Sequence, residues 1–310
     1  MSNPFRNALC LTLPRAAELK SARSTSVALA AALVGLGLLL AAPAQATNYG
    51  ATDAASLIAA INTANGNSSD DTIDLGGHTI TLTAANNAGN GLPHILTTSS
   101  AGKLAIENGT ITRDGAAPQF RIFYVDSGAD LTLSNVTLEN GHAPDGAIAT
   151  NGADGGAIYN NGTLTLTAST LTTNATGTGG DGGAVGNGGN GGDGGAIYSS
   201  GTLTMTGSAL SGNHTGKGGG GGIGGGAGNG GNGGAIYNLG TLTVTESTLS
   251  SNGSGNGGDG GGAATIDGGS GGNGGAIYNQ GGTLTLTRTT LSNNSAGNGG
   301  ATAPPVGNGG

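Results

Sequence analysis

One line of sequence is written four times. "GGAIYNNGTLTLTASTLTTN", residues 155–174, recurs as "GGAIYSSGTLTMTGSALSGN" from Gly194, "GGAIYNLGTLTVTESTLSSN" from Gly233 and "GGAIYNQGGTLTLTRTTLSNN" from Gly274. The four starts lie 39, 39 and 41 residues apart. A period in this range marks stacked repeats: a unit too short to bury its own apolar face buries it against near-identical copies above and below.

Within each line the segments "AIY", "TLTLT" and "STL" are joined by corners containing Asn or Gly. Short strands with period-two alternation and tight turns describe one coil of a right-handed parallel β-helix, with coils spaced about 4.8 Å apart. The expected fold is therefore all-β, a solenoid with Gly-rich loops. Stacking predicts inward columns of Ile158, Ile197, Ile236 and Ile277, of Leu164, Leu203, Leu242 and Leu284, of Leu166, Met205, Val244 and Leu286, and of Leu171, Leu210, Leu249 and Leu291. Asn174, Asn213, Asn252 and Asn294 share one phase after the last leucines, where stacked amides can satisfy one another and the turn backbone. Tyr159, Tyr198, Tyr237 and Tyr278 form an outward column, and Thr-x-Thr pairs such as Thr202-x-Thr204 form outward ranks. Self-stacking explains the tyrosines, with sugar stacking as the alternative use; strand propensity explains the threonines, with ice binding as theirs.

Between the lines stand spacers such as "ATGTGGDGGAVGNGGNGGD", residues 175–193, which hold much of the chain's 69 glycines. They read as flexible loops extruded from one corner, so that part of 215–231 is expected to tolerate deletion. The competing arrangement packs the Gly runs against each other as extended polyglycine strands.

The N-terminal region has a different character. Arg6, Arg15, Lys20 and Arg23 precede an uncharged run from Val27 to Ala42, and Ala44-Gln45-Ala46 supplies a small-x-small cleavage site, so 1–46 reads as a signal peptide. Residues 47–70 form a cap region whose short helix, Thr52–Asn65, follows Thr52 or Asp53 as N-cap; 71–154 carry degenerate first coils, and 155–310 the repeated coils. The chain ends in "VGNGG", inside a repeat, which predicts a truncated product.

Charge narrows the function. Beyond the signal, five basic residues stand against sixteen acidic ones, a net charge of −11 that disfavours nucleic acid and anionic membrane. The only cysteine, Cys10, lies in the signal, so no disulfide is expected in the exported chain. Glycan hydrolysis needs two facing carboxylates and a lyase needs a desolvated basic residue, whereas Lys103, Arg113, Arg121, Lys217 and Arg288 are scattered, with Arg113 and Arg121 expected in solvated pairs with Asp114 or Asp126. His78, His94, His142 and His214 show no zinc spacing, and "TGKGGGGG" around Lys217 lacks the Ser or Thr and the helix of a phosphate loop. No cofactor is expected; calcium is the one candidate, on Asp154, Asp181, Asp193, Asp259 and Asp267 in the spacers.

The paired "GGAI" and "LTTN", "LSGN", "LSSN", "LSNN" motifs resemble the GGA[ILV] and F-x-x-N repeats of polymorphic outer membrane proteins, pectin-lyase-like β-helical passengers of the autotransporter and adhesin type. Leu171, Leu210, Leu249 and Leu291 stand where that repeat has Phe, and no C-terminal translocator barrel is visible. "SLIAAI", residues 56–61, is similar to the S-L-R-E-A-I segment near the start of related exported β-helices. The resemblance implies a secreted, cell-surface or outer-membrane protein of adhesive or structural role, with no binding residues to carry over. Its partners would be host or matrix glycans or proteins, or further copies of itself, with membrane contact only through a C-terminal anchor. A polysaccharide-active enzyme of the pectin-lyase-like class is the alternative, and an ice-binding Thr ladder the third reading.

Overall fold

The computed structural model describes residues 46–96, 102–262 and 266–302, all within the compact unit Ala44–Gly310. The signal-peptide reading of 1–46, except at Ala46, and the expected break at the chain's end lie outside these residues. The described chain is a parallel β structure with one helix, α1 (Ala54–Asn65). The Asp53 side chain accepts the Ser56 backbone N–H at 2.8 Å while the Ser56 hydroxyl accepts the Asp53 N–H at 3.1 Å, a reciprocal cap that makes Asp53 the N-cap and starts the helix at Ala54 rather than at Thr52. Leu57, Ala60, Ile61 and Ala64 face the core, and α1 packs on β1 (Asn48–Gly50), β2 (Asp71–Asp74) and β3 (Thr79–Leu82).

Two ten-residue strands, β4 (Leu104–Arg113) and β6 (Asp130–Glu139), follow, with β5 (Phe123–Val125) between them. Each repeated line then contributes three short strands. These are β7 (Ile158–Asn160), β8 (Thr163–Thr167) and β9 (Thr170–Thr172); β10 (Ile197–Ser199), β11 (Thr202–Thr206) and β12 (Ala209–Ser211); β13 (Ile236–Asn238), β14 (Thr241–Thr245) and β15 (Thr248–Ser250); and β16 (Ile277–Asn279), β17 (Thr283–Thr287) and β18 (Thr290–Ser292). Like strands pair with like in parallel, giving one sheet of order β16-β13-β10-β7-β5 and a second that runs β17-β14-β11-β8-β6-β9-β12-β15-β18. The long strand β6 joins the two arms of the second sheet, its first half pairing with β8 and its second with β9. The bend in β6 is Asn135, at φ 53°, and the same corner is taken one rung at a time by Ala168, Gly207, Glu246 and Arg288, all at positive φ.

Register places identical residues over one another. Ile158 pairs with Ile197, Ile197 with Ile236 and Ile236 with Ile277, and Phe123 extends this column below Ile158. Leu171, Leu210, Leu249 and Leu291 form another column, continued by Leu138. Side chains in the inner rungs are fully buried, each contributing roughly 1.5–3 kcal/mol. On the last rung Leu284, Leu286 and Leu291 are exposed.

Beside this core runs an amide ladder. Asn174 Nδ2 donates to Asn213 Oδ1 at 3.0 Å, Asn213 Nδ2 to Asn252 Oδ1 at 2.9 Å and Asn252 Nδ2 to Asn294 Oδ1 at 2.9 Å. Each of these oxygens also accepts the backbone N–H of the asparagine one rung before, and the second amide protons reach Leu138, Leu171, Leu210 and Leu249 carbonyls. The buried amides of this ladder are thus satisfied without water.

The spacers correct the expectation of floppy loops. Each folds into a hairpin of two extended limbs: Gly189 and Gly192 donate across to Gly180 and Gly177 within one hairpin, as Gly228 and Gly231 do to Gly219 and Gly216 in the next. Gly179, Gly182, Gly188 and Gly191 instead donate to Lys217, Gly220, Gly226 and Asn229 of the following hairpin. Bonding direction repeats every three residues, the period of an extended three-fold helix that has no internal hydrogen bonds and must find all its partners outside. The glycines are required by close approach: a Cβ on Gly216 would lie 1.9 Å from the Gly177 carbonyl oxygen, and one on Gly228 1.8 Å from that of Gly189. Asp and Asn occupy outward third positions, where Asp181, Asn187, Asn190 and Asp193 accept backbone N–H groups of the next hairpin at 2.6–2.8 Å. Because 215–231 lies between two such layers, its deletion would expose unpaired backbone on both.

Candidate functional site

The outward aromatic column is longer than the repeats alone imply. His94, Tyr124, Tyr159, Tyr198 and Tyr237 stack with centroids 4.4, 5.0, 4.6 and 5.1 Å apart, and Tyr278 closes the series at 5.4 Å in a tilted pose. Parallel in-register strands force this, since they place each ring one strand spacing above the last. Ring faces within the column are therefore covered by neighbouring rings, and solvent meets edges and hydroxyls. Sugar stacking needs an open ring face, so the column does not offer it along its length. Burial raises the phenol pKa values of Tyr159 and Tyr198, and pushes Tyr237 up to about 12, which keeps these hydroxyls protonated at neutral pH.

Arg113 and Arg121 correct the expectation of solvated ion pairs: both are buried, and both donate mainly to backbone carbonyls. Arg113 donates from Nε to the Asn140 carbonyl at 2.9 Å and from Nη1 to the Asp114 and Ala117 carbonyls at 3.0 and 2.8 Å. Arg121 donates from Nε and Nη2 to the Asp154 carbonyl at 3.1 and 2.9 Å and from Nη1 to Asn90 Oδ1 at 3.0 Å, with its guanidinium 5.4 Å from the Tyr159 ring centre. The physical reason is irregular chain: the Asp114, Ala117, Asn140 and Asp154 carbonyls lie outside the strands and take donors from the Arg forks instead of from a sheet ladder.

Acidic side chains serve the rungs in the same way. Asp154 Oδ1 accepts the Asp193 N–H at 2.7 Å, and Asp193 Oδ1 accepts the Asn232 N–H and Nδ2 at 2.6 and 3.1 Å. Burial raises the Asp154 carboxyl, and burial together with the Asp154 charge pushes Asp193 up to about 6. These two residues, with Asn151, Asn190, Asn229 and Asn232, line a cleft of about 220 Å³. An open groove of about 860 Å³ runs along the hairpins past Asp145, Asp181, Lys217 and Asp259. There Lys217 pairs with Asp259 at 3.6 Å, while Asp145, Asp181 and Asp259 accept backbone N–H groups of Thr178, Gly220 and Ala301. Among the described residues no three His, Cys, Asp or Glu side chains gather as a metal would require.

Two further ladders recur in phase along the repeated line, at its serines and at the position after its tyrosines. Ser169 and Ser208, each 39 residues from the next serine in phase, take the Ser208 and Ser247 hydroxyl oxygens as acceptors for their N–H groups at 3.2 and 3.1 Å. Asn160, Ser199, Asn238 and Asn279 make an inner column after the tyrosines: Asn160 Nδ2 donates to Ser199 Oγ at 3.0 Å and Asn238 Nδ2 to Asn279 Oδ1 at 2.6 Å. Ser199 interrupts that column, and buried Asn238 Oδ1 has no partner. No family model, no curated protein and no solved structure matches the chain.

Proposed function

We propose that the chain is an exported, non-catalytic parallel β-helix of right-handed coil that displays its outer faces and Gly-rich hairpins at the cell surface, as an adhesin-like or structural passenger of the kind its repeats resemble. The observation that carries the reading is the commitment of the ionisable groups: Arg113, Arg121, Asp154, Asp181 and Asp193 all hold backbone of their own or the adjoining rung. A scaffold that spends its charges on its own coils is built for extent and rigidity, and fold alone assigns it no chemistry. Its partners would be host or matrix glycans or proteins, or further copies of the chain, met by flat faces and hairpin tips. Protease shaving of intact cells should release peptides from 142–302, and the purified protein should leave polygalacturonate and related acidic glycans at full length. Peptides found only in the cytoplasmic fraction, or depolymerisation of such a glycan, would overturn the proposal.

A further inference from the structure

The outward face of β8, β11, β14 and β17 is a lattice. Thr163, Thr165 and Thr167 lie in register with Thr202, Thr204 and Thr206, then Thr241, Thr243 and Thr245, then Thr283, Thr285 and Thr287. All are half or fully exposed, and none of the twelve hydroxyls bonds to a protein group. This is unusual in a chain whose other repeated polar side chains, at Asn174, Ser169 and Asp193, are each tied to the next rung. The array itself carries no charge; ion pairs border it, Asp130 with Lys103 on the strand below Thr163 and Glu246 with Arg288 at the corner beyond Thr245 and Thr287. Its repeats are roughly 4.8 Å between rungs and roughly 6.6 Å between alternate residues of a strand.

We propose that this threonine face is an ice-binding surface. Side chains of one length, each carrying one hydroxyl and one methyl, offer hydrogen bonds at two fixed repeats comparable to the oxygen spacings of ice, with apolar groups between them that hold no water of their own. β-Branched side chains on a sheet are stiff at χ1 and the rungs are locked by the core, so little entropy is lost when many weak contacts form at once. Other occupants lack a handle. A protein partner needs projecting aromatic or Arg anchors, which the face does not contain. A glycan needs open ring faces, and the tyrosines that could supply them lie on the other sheet with their faces covered. The inference stands whether or not the adhesin-like reading does.

The test uses the whole exported chain in ice-recrystallisation and thermal-hysteresis assays, with melting temperature as the control for folding. The wild type should shape ice and arrest recrystallisation. Thr204→Tyr with Thr243→Tyr, which raises two rings above the array, should lose that activity at least tenfold at unchanged melting temperature, while Val185→Tyr at a hairpin tip should keep it. Thr204→Val with Thr243→Val preserves shape and removes two hydroxyls, and should lower activity in a protein certain to keep its strand packing. No effect of the wild type on ice, or equal activity in all variants, overturns the proposal. So does binding to crystalline cellulose or chitin that the tyrosine substitutions abolish while ice is untouched, which would give the face to a polysaccharide.

Discussion

Replacing Asn213 by Leu isolates what the amide ladder is worth. The two side chains have nearly the same shape, so no gap opens for water, and only the hydrogen-bonding atoms are lost. Asn174 would keep its place but lose the acceptor for its backbone N–H and for one amide proton, both at 3.0 Å, and the Leu171 carbonyl would lose a donor at 3.0 Å. Asn174 and Asn213 are completely buried, so water cannot substitute. Three stranded groups at about 1–3 kcal/mol each, taken toward the lower half because neighbours relax, cost roughly 3–6 kcal/mol. Burying the leucine side chain returns about 2 kcal/mol, leaving a net loss of roughly 1–4 kcal/mol. The same change at Asn294 strands the Asn252 N–H, one Asn252 amide proton and the Leu249 carbonyl beneath a half-exposed side chain rather than beneath a buried one, so water enters more easily and the loss should be smaller than at Asn213. Urea unfolding of the two variants reads the difference directly. Equal losses at both positions would refute the claim that burial turns these amides into structural bonds.

Ser199→Asn should give the unpartnered Asn238 Oδ1 a donor and complete the column, stabilising the protein by about 1 kcal/mol in thermal melts; a neutral or destabilising result removes that reading. Gly216→Ala should prevent folding, because its Cβ would meet a carbonyl oxygen at 1.9 Å, whereas Gly207→Ala, at φ +58° with open space around it, should cost only about 1–2 kcal/mol, judged by soluble yield and urea midpoint. The folded pKa of Asp193, raised to about 6 above an unfolded value near 3.8, means that the native state binds this proton more tightly. Stability should therefore rise by up to about 2 kcal/mol as pH falls from 7 toward 4, and lose that gain as pH climbs back through 6. Asp193→Asn should raise the melting temperature at pH 7.5 and flatten this slope, since Asn232 and Asn273 already show how an amide fits that ladder; an unchanged slope assigns the effect to another group.

The columns were legible because a one-residue slip would turn Leu164, Leu203 and Leu242 out to solvent, so alternation alone fixes the face of every strand. The Asn174 ladder was legible for a similar reason, since one polar residue recurring beside a dry column has few ways to be buried. The hairpins were legible only as the competing arrangement of packed, extended Gly runs, because high Gly content equally suits a flexible loop. Their signal is the third-residue recurrence of Asp181, Asn187, Asn190 and Asp193, a period too unlike those of strand or helix to be sought. Arg113 and Arg121 were misread because their partners are backbone carbonyls, which no pattern of side chains announces. The threonine face lay in plain view as sequence; its significance depends on the unused hydroxyls, which only the register and hydrogen bonding establish.

The Gly-rich layers are as ordered as the strands, bonded within each hairpin and to the next. Backbone amide hydrogen exchange of the purified protein decides this, following peptides from 175–195 and 214–234 beside those covering β8, β11 and β14. The hydrogen bonds from Gly179, Gly189, Gly219 and Gly231 predict protection of the hairpin amides comparable to that of the strands, weakest at the tip residues 183–185. Exchange of the whole spacers at the rate of a free chain, with the strands still protected, would contradict it.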